Sequence, residues 1–268
     1  MPNSTLNTID HGNAHCWDQV SGDYARYRDI YPEDLYERLH ALGIGLNGQT
    51  IIDLGTGSGV IPRYLGRYGA QFIGVDCSFG QIKQAIALSP KDVSCAWMVG
   101  LAECIGLQDA IADVVLACMS FLYFDKARTL PEIIRFLKPD GMFVKVSMIW
   151  LPFEDPIAEK TEEMVLKYNP DWTGAHFKRR KLQVADWSKE LFEPRILLTY
   201  DARINFTRDT WRGRIRTCRG MGASSISHDA KHQFEREFKE YLETNVPETF
   251  TILHQVCIEA YRPVCSCS

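Results

Sequence analysis

The chain has no apolar run long enough to span a bilayer. Its longest candidate, residues 111–124, is interrupted by Asp113 and Ser120. Met1 to Asn13 is polar and lacks the apolar centre of a secretory signal. There is no basic excess either. The 30 Lys and Arg against 34 Asp and Glu leave a net charge of −4, which offers no general attraction to nucleic acid or to an anionic membrane. The nine cysteines are odd in number and lack paired C-x-x-C spacing, so neither a disulfide scaffold nor a structural zinc site is expected. Cys77, Cys95, Cys104 and Cys118 stand in or beside apolar runs and read as small buried hydrophobes in a reducing cytoplasm. Cys265 and Cys267, with Cys257 upstream, read as a loose tail and not as metal ligands.

Several nucleotide signatures are missing as well. A dinucleotide fingerprint needs G-x-G-x-x-G; counted from Gly55 its third position is Val60, and from Gly57 it is Pro62. No tyrosine has a lysine four residues later, and there is no G-x-x-x-x-G-K-[ST] phosphate loop.

What is present, from Gln49 to Trp150, is an alternation of short β-branched runs with helical segments. Strands are expected at Thr50–Leu54, Gln71–Val75, Ser94–Val99, Asp113–Ala117 and Met142–Ile149, and helices near Val60–Tyr68, Phe79–Leu88 and Ala127–Leu137. Such alternation predicts a parallel sheet covered on both faces. Leu137-Lys-Pro-Asp-Gly141 reads as a helix end and a tight turn. After Trp150 the rhythm breaks into aromatics, charges and prolines, as inserted helices or a lid would. A strand returns at Arg195–Phe206, a charged helix at Asp229–Thr244, with Phe234, Phe238, Tyr241 and Leu242 at helical spacing, and a last strand at Phe250–Tyr261. The fold class expected is α/β: a doubly wound, mostly parallel seven-stranded sheet with an inserted helical cap.

The sharpest motif is Ile51-Ile-Asp53-Leu-Gly55-Thr-Gly57-Ser-Gly59, a strand running into a glycine-rich turn and a helix that Pro62 limits to a start near Gly59. Three alternate glycines exceed what a turn requires and suit a ligand lying against backbone N–H groups. Gly74-Val-Asp76 follows, with Asp76 at the end of the second strand. There its carboxylate can accept two ribose hydroxyls, or it can simply cap the next helix.

These residues, with Leu137-Lys-Pro-Asp-Gly141, resemble the class I S-adenosylmethionine-dependent methyltransferases over roughly residues 16–150. The resemblance implies S-adenosylmethionine as cofactor and S-adenosylhomocysteine as product. It implies that Gly55, Gly57 and Gly59 line the methionine moiety, Asp53 orders the turn, Asp76 takes the ribose and Cys77 packs on the adenine. Gly100-Leu-Ala-Glu103 matches the adenine-edge motif, which brings in Ala102 and Glu103; Met119 would meet the methionine end through its backbone. Leu101 departs from an Asp common in relatives and cannot hold the adenine amino group. Tyr24-Ala-Arg-Tyr27-Arg28-Asp-Ile-Tyr31-Pro32 resembles a segment that closes over the cofactor, with Arg28 on the methionine carboxylate and Tyr24 facing the reacting centre; a surface helix packed on the core is the other reading. The domain expected is single, residues 1–268, with a closing segment 1–48, a cofactor core 49–150 and a substrate cap from 151–194 and 207–245.

The partner expected is a small-molecule acceptor rather than nucleic acid or membrane, and the arginines beside Trp211 suggest an anionic one. Trp211, Arg212 and Arg214 are the substrate candidates, set against a solvated face. The run His176–Lys181 reads as a solvated face. His176, His228 and His254 stand in no catalytic constellation, so no base is assigned. In-line methyl transfer does not demand one unless the acceptor arrives protonated. A non-catalytic S-adenosylmethionine-binding protein and a nicotinamide-dependent oxidoreductase are the alternatives.

Overall fold

The computed structural model describes residues 9–13 and 15–264; the expectations for residues 1–8 and for Cys265 and Cys267 lie outside them. Seven strands form one sheet: β1 Thr50–Leu54, β2 Gln71–Asp76, β3 Cys95–Val99, β4 Ala112–Cys118, β5 Leu137–Trp150, β6 Phe192–Thr207 and β7 Thr249–Pro263. Their order is β3-β2-β1-β4-β5-β7-β6. The first five pair in parallel, and β7 runs antiparallel to both β5 and β6. β1 reads Thr-Ile-Ile-Asp-Leu and β4 Ala-Asp-Val-Val-Leu-Ala-Cys. Both are buried almost throughout, as strands covered on two faces must be.

The helices are α1 Ser21–Tyr27, α2 Glu33–Ala41, α3 Val60–Leu65, α4 Phe79–Leu88, α5 Lys126–Phe136, α6 Pro156–Tyr168, α7 Arg208–Arg216 and α8 His228–Asn245. Their starts are chemically marked. Ser78 caps α4 by accepting the Gln81 N–H, Asp155 caps α6, Ser227 caps α8, and Thr207 with Thr210 forms a reciprocal cap on α7. α5 buries Leu130, Ile133 and Phe136 on one stripe, and α8 buries Phe234, Phe238 and Leu242 at i, i+4 and i+8.

Two expectations need correction. Leu137 does end α5, its N–H bonding the Ile133 carbonyl, but no tight turn follows: β5 begins at the same residue, Leu137 pairs with Ala112, and an irregularity between Ala112 and Val114 absorbs the extra residues before Met142 meets Val114. Cys77 and Cys104 are exposed thiols, whereas Cys118 is buried. The strand-like runs end before the first two, so the sheet does not cover them.

The order of the strands reverses at β1, between β2 and β4. In open α/β sheets the crevice outside the carboxyl ends of the strands at such a point is the usual ligand site. The chain leaves β5 at this end, and the connection from β6 to β7 also lies here.

Candidate functional site

A cavity of about 980 Å³ opens there, lined by both carboxyl-terminal strand ends and the two late insertions. That is roomy enough for a nucleotide-sized ligand together with a second small molecule.

The glycine turn forms one wall. Gly55, Gly57 and Gly59 all have positive φ, at 68°, 57° and 73°. They do different work. A Cβ on Gly57 would meet nothing nearer than Tyr24 at 3.6 Å, so its bare backbone faces open cavity. A Cβ on Gly59 would stand 2.4 Å from the Trp97 ring and 3.2 Å from Ala85. Gly59, expected to line the methionine moiety, is turned away from the cavity instead and lets the Trp97 indole pack down on the turn.

Asp76 ties this turn to the next helix. Its Oδ2 accepts the Gly57 N–H at 2.8 Å and its Oδ1 accepts the Ser78 N–H at 2.9 Å. Burial raises its pKa above the ordinary carboxylate range, while the two N–H donors pull the other way. Each oxygen keeps acceptor capacity beyond these two bonds, and the residue lines the cavity.

Asp53 lies beneath the turn, 1% exposed, and accepts the Thr56 hydroxyl at 2.6 Å. Its Oδ1 is without a partner among the described residues. Burial pushes its pKa from 3.8 up to about 7, opposed by the Thr56 hydroxyl and assisted by the Asp76 charge. A folded-state value above the unfolded one favours folding fully only below about pH 4. That contribution is lost as pH rises through 7. Asp53→Asn is therefore expected to flatten the fall in melting temperature of ligand-free protein between pH 4 and pH 7. Identical slopes in both proteins would remove Asp53 from this account.

The amino-terminal segment closes the opposite side. Asp18 accepts the Ser78 hydroxyl at 3.0 Å, and Asp23 accepts from Arg216 at 2.7 Å, which docks α1 between α4 and α7. Tyr27 packs against Gly213, where a Cβ would meet the ring at 2.2 Å. Tyr24 and Arg28 then face the cavity, the guanidinium lying 4.7 Å from the Tyr24 ring centre. The Arg28 Nε is buried without a partner among the described residues, as is the Gln81 Oε1 beside Gly57. Further along, Asp10 accepts the Thr173 N–H at 2.7 Å and also bonds Arg219, strapping the chain onto the first insertion.

Cys77, Ala102 and Glu103 also line the cavity, although the Glu103 carboxylate is already engaged by the Asp125 N–H at 2.9 Å. Met119, at φ 59°, turns the chain sharply out of β4 and lines the cavity, with its N–H held by the Val146 carbonyl at 2.9 Å.

The three substrate candidates separate. Trp211 is fully buried in the core, its indole N–H on Thr161 Oγ1 at 3.0 Å and its ring edge-on to Phe206. Arg212 pairs with Glu235 at 3.2 Å and borders a separate small pocket with Lys239 and Glu243. Only Arg214 reaches the cavity. It is 6% exposed, with its guanidinium 5.0 Å from the Trp150 ring centre. On a helix these three residues point in different directions, so arginine density in the sequence does not report a shared surface. Arg180, in the run read as solvated, lines the cavity, whereas Arg179 is held by Glu154 and Asp201. Of the histidines, His254 is completely buried with Nδ1 on the Ile252 carbonyl, and burial lowers its pKa to about 4. It does not line the cavity.

Trp150, Trp172 and Phe177 are cavity residues that sequence reasoning did not find, whereas Tyr31 lies in the segment expected to close over the cofactor. Trp150 had a signal, its place at the carboxyl end of a sheet strand. Trp172 and Phe177 had none, since loops position them.

Residues 52–145 match the family model described as a methyltransferase domain. Uncharacterized methyltransferases of Mycobacterium bovis and Mycobacterium tuberculosis are 30% identical over 129 residues, 48% of this chain and 49% of theirs. Residues 52–145 thus resemble a methyltransferase domain, and the sheet around them has the class I methyltransferase fold. A 2-methyl-6-phytyl-1,4-hydroquinone methyltransferase of Synechocystis is 34% identical over 99 residues, 36% of this chain and 31% of that protein. The match thus spans about half the length, 49%, of the mycobacterial relatives. The fold is shared with a protein of Anaeromyxobacter dehalogenans proposed as a type II methyltransferase, at a TM-score of 0.55 and 19% identity over 86% of this chain and 96% of that one. No helix among the described residues is long and apolar enough to cross a membrane.

The residues around this cavity fit S-adenosylmethionine. Gly57 leaves open space, Asp76 offers a carboxylate, and Arg28 and Gln81 hold unsatisfied polar atoms on the same wall.

Proposed function

We propose that this protein transfers a methyl group from S-adenosylmethionine to a small-molecule acceptor. The observation that carries the reading is the left-handed glycine turn bonded to Asp76 at the mouth of a cavity at the strand-order reversal. The bound cofactor supplies a sulfonium-activated methyl group open to in-line displacement. Asp76 would accept ribose hydroxyls, the glycine turn would lie along the methionine portion, and Arg28 would meet its carboxylate. Tyr24 and the Asp10–Thr173 strap would hold water out, and residues 151–194 with 207–245 would cap the acceptor. Excluding water and holding the nucleophile in line at about 3–3.5 Å lowers the barrier without a dedicated base. Free thiols at Cys16, Cys77 and Cys104 suit a reducing cytoplasm.

Isothermal titration is expected to find one S-adenosylmethionine or S-adenosylhomocysteine site per chain and no comparable binding of NAD. Equal or tighter NAD binding would overturn the proposal in favour of an oxidoreductase. Release of S-adenosylhomocysteine against a panel of metabolites separates a transferase from a protein that only binds the cofactor.

A further inference from the structure

Two guanidinium groups on the cavity wall combine buried, unbonded nitrogens with no acidic partner among the described residues. Arg28 and Arg214 form no ion pair among the described residues. Arg214 leaves Nε and Nη1 buried and unbonded, and Arg28 leaves Nε so. They sit close enough that the charge on Arg28 adds to burial in lowering the pKa of Arg214 to about 9, so Arg214 still carries its charge at neutral pH. The acids on the same wall are committed elsewhere: Asp76 to the glycine turn, Glu103 to the Asp125 backbone, and Asp125 to the start of α5. Of the other cations there, Lys145 is bound to Glu259 and Arg219 to Asp10, while Arg128 and Arg180 are exposed to solvent, which hydrates their charge.

An unpaired charge buried this deeply is costly unless a ligand completes it. S-adenosylmethionine has one carboxylate and can satisfy one of the two arginines. Arg28 stacks on Tyr24, which borders Gly57, and so belongs to the cofactor end. Arg214 stacks on Trp150 at the far end of β5. We propose, on the basis of the methyl-transfer reading above, that Arg214 binds the acceptor and that the acceptor is a small carboxylic acid with an apolar or aromatic body. A single guanidinium matches a monoanionic carboxylate. Ile30, Tyr31, Trp150, Trp172 and Phe177 supply an apolar surface for the rest of the molecule.

The test titrates protein saturated with S-adenosylhomocysteine with benzoate, phenylacetate, cinnamate and 3-methylbutanoate, each beside its primary amide. At least one acid is expected to bind about tenfold or more tightly than its amide. Arg214→Gln should erase that preference, Arg214→Lys should keep part of it, and Arg212→Gln, on the ion-paired face, should leave it intact. S-adenosylhomocysteine affinity should stay within about threefold in Arg214→Gln, since that residue contributes no more than a weak polar contact to the cofactor. Amides binding as well as acids, no acid binding at all, or a preference that survives Arg214→Gln would each overturn the proposal. A second variant guards against misfolding. Arg214→Met removes an unpaired buried charge and should melt at or above the wild-type temperature without ligand. A clear fall would show that a structural partner already holds Arg214. If wild-type protein fails to bind S-adenosylhomocysteine, the transferase reading falls; if it binds and no acid is preferred, only the acceptor assignment falls.

Discussion

Replacing Asp76 by alanine is expected to weaken S-adenosylhomocysteine binding by about 1.5–3 kcal/mol, roughly ten- to a hundredfold, because a charged acceptor for ribose hydroxyls is lost. The geometry adds a second contribution. Asp76 also accepts the Gly57 and Ser78 N–H groups, so its removal loosens the turn against which the cofactor would lie. Asparagine should rescue little. Its carboxamide has one oxygen, and its NH2 would face one of those two backbone donors. The fold should persist, since Ser78 still caps α4 through the Gln81 N–H at 3.1 Å. Lost caps cost about 1 kcal/mol, which bounds the expected loss of stability. Titration and thermal melting on the same samples decide the matter. Unchanged affinity with a lowered melting temperature would mean that Asp76 is a structural tie alone.

The largest effect on stability is expected at Gly59, and it is not a cofactor effect. Gly59→Ala places a Cβ at φ 73°, where an L-residue costs about 1–2 kcal/mol. It also drives that carbon to 2.4 Å from the Trp97 ring, and overpacking of this kind costs about 1–3 kcal/mol. Trp97 cannot move away freely, because a Cβ on Gly74 would lie 2.4 Å from the same ring; the indole is seated over two glycines. A total of about 2–5 kcal/mol is expected, read as a lower denaturation midpoint. Trp97→Leu, with a smaller side chain, should recover part of the loss in the double variant. A stable Gly59→Ala protein with weakened S-adenosylhomocysteine binding would return Gly59 to the ligand wall.

Most of the parallel core was legible before any coordinates. The first, second and fourth strands lie within a residue of their expected limits, because two-face burial demands the β-branched runs seen at Thr50–Leu54, Gln71–Asp76 and Ala112–Cys118. The glycine turn and Asp76 were legible for a related reason. Both sit where a strand ends, and a strand's end is marked in the sequence by where its apolar run stops. The beginning of β5 was not, since Pro139 and Gly141 signal a turn locally while Leu137 and Met142 on either side pair with β4 and carry the residues between them as a bulge.

The sequence by itself determined the layered α/β class, the ligand-binding end of the sheet and the carboxylate at its second strand. These follow from local periodicity and from glycine and strand-end chemistry within a few residues. Only the tertiary structure decided which arginine meets the cavity. Arg212 and Arg214 are two residues apart on α7, yet one faces Glu235 of α8 and the other Trp150 of β5. A helix turns its side chains by about 100° per residue, so neighbours in sequence diverge in space. What each then meets is set by elements packed from more than 20 and more than 60 positions away, and no local pattern encodes that choice.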